Sequence, residues 1–137
     1  MRNIASEIGM EQVKAVVHDF YARVRAHSAL ATAFAKVADW SAHEEHLTHF
    51  WWVTLGGQRY LDYRYDVATR HAEAGFTPDL LVDWLALFRT TLDDHIAAEL
   101  AEGWLQRAER IAESLRLMHE LGHIPARPKL DIAAIPH

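Results

Sequence analysis

Val13, Val16, Val17, Phe20, Tyr21 and Val24 recur at i, i+3 and i+4. That spacing predicts an amphipathic helix over residues 11–26, despite the stiff β-branched valines. Tyr21 then faces inward beside Phe20, and its hydroxyl needs either a neighbouring carbonyl or a polar ligand. After His27-Ser28 comes ALATAFAKVA, in which Phe34 is the large side chain. Such a segment packs closely or turns a corner.

The stretch DWSAHEEHLTHFWWVTL, residues 39–55, is the centre of the pattern. Ser41 followed by Glu44 reads as a capping box, so the helix is expected to start at Ala42 and run until Gly56-Gly57 stops it. His43, Leu47, Phe50 and Thr54 share one face, with His46 and Trp51 on its shoulders and His49 exposed. A core helix ordinarily spends such positions on Leu, Ile or Val. An imidazole among aromatic rings points instead to the wall of a cavity.

Beyond the glycines, QRYLDYRYDVATRH lacks a clean period and reads as a loop, made sticky by Tyr60, Tyr63 and Tyr65. It runs into a short helix around residues 67–73 that bears His71 just before Gly75. Thr77 and Pro78 have the form of an N-cap and first helical position. The face Leu81, Trp84, Leu85, Phe88, Leu92, His95, Ile96 and Leu100 predicts about six turns from there, broken at Gly103. Leu105, Ala108, Ile111, Ala112, Leu115 and Met118 form a last helix ending at Gly122 and pairing antiparallel with the one before. No strand pattern or repeat is evident. The class is all-α: one domain over residues 1–122, then a proline-containing tail over 123–137.

Composition narrows the function classes. A chain of 137 residues buries roughly two thirds of its unfolded surface in one core. Without cysteine, thiolate metal sites, disulfides and cysteine nucleophiles are excluded. The N-terminus has no apolar signal region, and apolar runs such as 50–53 and 85–88 are too short to span a bilayer. A cytoplasmic protein with no membrane association is expected. Fourteen scattered basic residues against nineteen acidic ones, a formal net charge of -5, build no footprint for phosphate backbones, so nucleic acid is not expected as a partner. The ten histidines ask for another explanation, and a metal or a cofactor supplies one.

Two such readings compete. A non-haem site would use His43, His46 and His49, or Glu120 with His123. Di-iron carboxylate bundles need a Glu-x-x-His motif on each of two helices, and this chain has one. HEEH also misses the zincin HExxH spacing. The second reading is haem, held by one histidine on a short helix and facing His43 across a flat cavity with apolar and aromatic walls. His95 is the rival ligand, but it sits about three turns beyond Trp84.

The residues that bear on this choice are FYARVR at 20–25, Phe34 thirteen residues after Tyr21, W-x-x-H at 40–43 continuing to Phe50 and Trp51, His71, WLALF at 84–88 and RIAESL at 110–115. In order and spacing, over roughly residues 10–120, the chain resembles the truncated haemoglobins, most closely their third group, the shortened globins of bacteria. The resemblance implies a shortened globin fold, a two-over-two helical sandwich around haem b. It makes His71 the proximal iron ligand and Tyr21 the main distal hydroxyl. His43 becomes the distal-helix histidine, Leu47 the apolar residue one turn later, and Trp84 an indole donor. Phe34 would stack on the porphyrin, while Phe20, Phe50, Phe76 and Phe88 complete the wall, with Arg70 and His46 near the propionates.

The chain departs from the pattern in YLDYRYDVATRH, where the usual Gly and Pro are missing and two residues are added. His43 could also bind the iron directly when no gas is present. The implied ligands are dioxygen, carbon monoxide, nitric oxide or peroxide. The implied roles are nitric oxide or peroxide detoxification, or sensing, with an unidentified reductase as partner. The alternative is a helical bundle without haem, binding a non-haem metal or serving as an interaction module.

Overall fold

The structure, a computed structural model, describes residues 3–35, 37–62 and 77–121. Within them lie α1 (Ile4–Ile8), α2 (Met10–Ala26), α3 (Leu30–Ala33), α4 (Trp40–Thr54), α5 (Pro78–His95) and α6 (Ala98–Glu120). There is no strand among the described residues. Helix α2 is the keystone, packed against both α4 and α5, while α5 packs on α6. Two helix pairs, α2–α4 and α5–α6, therefore meet through α2 and α5. No described helix is long and apolar enough to cross a membrane.

The expected inward face of α2 is buried at every position, from Val13 to Val24. Helix α1 was not anticipated by the periodicity. Its Ile4, Ala5 and Ile8 are buried, the Asn3 side chain caps it by accepting from the Ser6 amide, and Ala5 N–H donates to the Leu55 carbonyl at 3.1 Å. It packs on α2 and α6.

The start of α4 differs from the capping-box expectation. Asp39, not Ser41, is the N-cap, its carboxylate accepting from the Ala42 amide at 3.1 Å, so the helix begins at Trp40. Glu44 turns elsewhere, to His18 at 2.8 Å and Arg25 at 3.6 Å on α2. The glycine stop holds: Gly56 takes φ +110°, a conformation L side chains rarely adopt. Thr77 and Pro78 open α5 as expected, with the Thr77 hydroxyl accepting from the Leu80 amide.

The break between the last two helices falls at Ile96-Ala97 rather than at Gly103. Side chains of α2 receive that end: Gln12 donates to the His95 carbonyl at 2.8 Å, and Asp19 lies 2.7 Å from His95 Nε2. Gly103 sits inside α6, where a Cβ would come within 2.8 Å of Ile4 Cδ1. Its role is to let α1 approach.

Candidate functional site

The i, i+1 pair Phe20-Tyr21 is nearly fully buried. Around the Tyr21 ring stand His43 at 5.3 Å, Phe34 at 5.6 Å and Trp40 at 5.9 Å between centroids. Trp40 and His43 are 5.4 Å apart and perpendicular, and Phe34 lies 6.1 Å from each. Helix α4 supplies Trp40 and His43 three residues apart, which places them on one face of its first turn. The segment after α3 supplies Phe34.

This tetrad continues into a second aromatic group. Phe20 contacts Tyr21 at 4.9 Å, Phe88 at 4.9 Å and Trp84 at 5.7 Å. Trp84, Phe88 and Trp51 are stacked in sequence, at 5.5 and 5.4 Å. Trp104 closes the far side, 5.6 Å from Phe88. Among the described residues the Trp84 indole nitrogen is buried without a hydrogen-bond partner, as are Trp104 Nε1 and Thr54 Oγ1. A buried N–H left unmade costs about 1–3 kcal/mol, so Trp84 is a donor in want of an acceptor at the edge of the Tyr21 cluster.

The structure thus brings Tyr21, His43, Phe34, Phe20, Trp84 and Phe88 into one connected aromatic assembly. Leu47 and Phe50 are buried one and two turns along α4 from His43. His46 is half-buried. His71, Arg70 and Phe76 lie outside the described residues, as does the expected helix around 67–73.

His49 corrects the expectation of an exposed side chain: it is 2% exposed. Its Nε2 accepts from the backbone amides of both Tyr60 and Leu61, each at 3.2 Å, and the Tyr60 ring stands 4.7 Å away, edge on. Burial, the nearby Arg59 and His46 all push its pKa below the usual histidine value. Among the described residues no group of three His, Asp or Glu is placed to hold a metal ion. The His43, His46 and His49 reading therefore lacks a site, and His123, the partner of Glu120 in the other, is outside the described residues. His95 is committed to Asp19.

Sequence reasoning used Trp40 as a marker and missed it as a wall. Its i, i+3 spacing from His43 was the available signal. Outside, the Arg25 guanidinium lies 4.6 Å over the Trp40 ring and its Nε donates to the Tyr21 carbonyl at 3.3 Å. A separate groove of about 330 Å³ between α2 and α4 is lined by Lys14, His18, Glu44, Glu45 and Tyr60 among others, with none of the tetrad in its lining.

Two helix pairs, α2–α4 and α5–α6, thus pack around a buried aromatic cluster that contains one phenol, one imidazole and an indole donor. Residues 3–117 match the family of bacterial-like globins, and the chain belongs to that family. No curated protein and no solved structure matches it. Membership implies a haem cofactor and the binding of small diatomic ligands. The described residues fit that group: apolar and aromatic surface is contiguous, and the buried Trp84 donor lacks an acceptor that a polar ligand would supply.

Proposed function

We propose that the protein is a truncated haemoglobin of the third group, holding haem b through His71 and binding dioxygen and related ligands beside Tyr21, His43 and Trp84. The observation that carries this reading is the continuity of rings from His43 through Tyr21 and Phe20 to Trp84, whose N–H has no partner among the described residues. Haem, when bound, supplies a reducible iron with a position open to a diatomic ligand or peroxide.

The chain's own task is then to position donors and exclude water. The Tyr21 hydroxyl and Trp84 indole would favour a ligand able to carry partial negative charge, such as dioxygen, over carbon monoxide, which carries little. Phe34, Leu47 and Phe50 keep that space apolar, which strengthens each hydrogen bond. Two donors worth about 1.5–3 kcal/mol each slow release by about two to four orders of magnitude. His43 sits where an imidazole can hold or pass a proton to a peroxide or to Tyr21. Slow release suits detoxification of nitric oxide or peroxide better than oxygen delivery, with electrons supplied by a reductase partner.

Haemin titration of the purified full chain tests this reading. One haem per chain with a sharp Soret band is expected. A colourless protein carrying zinc or two irons would overturn it.

A further inference from the structure

His49 is a buried histidine with no part in the pocket chemistry. It lies on the last turns of α4, 2% exposed, and its Nε2 is shared by two backbone donors, Tyr60 N–H and Leu61 N–H. A ring nitrogen that accepts from two amides must carry a lone pair, so the ring is neutral with its proton on Nδ1. Protonation would turn this acceptor into a third N–H donor facing the other two. Both amides would lose their partner at once.

We propose that His49 is a proton-gated tether: neutral, it fastens residues 60–61 to α4, and protonated, it releases them. The surroundings favour the fastened form at neutral pH. Arg59 on the tethered segment and His46 one turn back on α4 both disfavour a second positive charge, as burial does. The Tyr60 phenol, held above its usual pKa by burial and by Glu45, stays neutral across the range concerned. Lys14 of α2 adds another cation at the groove lined by Glu45 and Tyr60. Glu45, one turn before His49 on α4, is exposed to solvent.

The sign follows from linkage. With the folded-state pKa depressed below the ordinary 6.5, the open segment binds a proton more readily than the fastened one. The tether is at full strength above the ordinary histidine pKa and weakens as pH falls towards the folded value. The segment it holds begins four residues after the α4 glycine stop and leads in sequence towards His71, ten residues past Leu61. The tether does not depend on the haem reading, because its groups are all protein.

Amide hydrogen exchange and imidazole ¹⁵N shifts of the full chain, in the ferrous carbon monoxide form that keeps any iron diamagnetic, test it between pH 7.5 and pH 5. The expected result is an Nδ1–H tautomer for His49. Protection factors at Tyr60 and Leu61, corrected for intrinsic exchange, should fall at least tenfold as the His49 ring titrates, while those within α6 hold. His49→Gln, a non-titrating acceptor of similar reach, should keep both amides protected at both pH values. His49→Phe should leave them unprotected at both. An Nε2–H tautomer, or amides that stay protected after the wild-type ring has titrated, would overturn the proposal. So would unchanged protection in His49→Phe.

Discussion

Removing the Tyr21 hydroxyl tests one donor while the ring packing stays in place. The ring is 3% exposed and held edge-on by Phe20, Phe34 and His43 at 4.9–5.6 Å, so a phenylalanine at this position keeps the packing and loses only the O–H. A hydrogen bond to a partly charged acceptor is worth about 1.5–3 kcal/mol, which converts to roughly a 10- to 150-fold faster dioxygen release. Trp84→Phe should act in the same range, since its indole N–H has no competing partner among the described residues. Stopped-flow displacement of dioxygen by carbon monoxide measures both, and carbon monoxide release itself should change by only a few fold. Tyr21 and Trp84 are linked through Phe20, so the double variant is expected to fall short of the product of the two single effects. Release rates within twofold of wild type in both single variants would refute the assignment of donors.

Asp39→Ala should cost about 1 kcal/mol in denaturant unfolding through loss of the α4 cap, whereas Ser41→Ala should be near neutral; the reverse order would restore the capping box. Phe88→Ala should cost about 3–5 kcal/mol, because Phe88 is fully buried between Trp84, Trp51, Phe20 and Trp104; a loss under 1 kcal/mol would mean that the aromatic stack is loose. Burial tends to raise the Asp19 pKa, but hydrogen bonds and charge from Arg23 and His95 outweigh it and hold the carboxyl below its usual range. Its contribution is therefore present above the ordinary aspartate pKa and lost as pH falls through and below it. Asp19→Asn should flatten the acid limb of a melting-temperature profile between about pH 5 and pH 2, and an unchanged acid limb would count against the network.

Much of the fold is written in local periodicity, and the misreadings occur where tertiary contacts decide. Helix α2 has one unbroken apolar face and was legible throughout. At α4 two capping patterns overlap, Asp39 to Ala42 and Ser41 to Glu44; the second fails because Glu44 is drawn across to His18 and Arg25. The apolar face of α5 runs on through Ile96 and Leu100, so nothing local marks a stop. Gln12 and Asp19, more than seventy residues earlier, make it. Gly103 looked like a breaker because its true constraint, the approach of Ile4, is also distant. Tyr21, His43, Phe34 and Trp84, singled out through the family resemblance, fall in one aromatic assembly. His49 was misread as exposed, since the backbone amides of residues 60–61 that meet its ring leave no side-chain pattern in the sequence.

The central proposal is that His71 holds haem. Absorption spectra of the full chain in its ferric, ferrous and ferrous carbon monoxide states, recorded for wild type, His71→Ala and His95→Ala, test it most directly. Wild type and His95→Ala should share histidine-ligated spectra, while His71→Ala should lose haem readily or show a shifted ferrous band that added imidazole restores. A His71→Ala protein with native haem affinity and an unchanged ferrous spectrum would contradict the account.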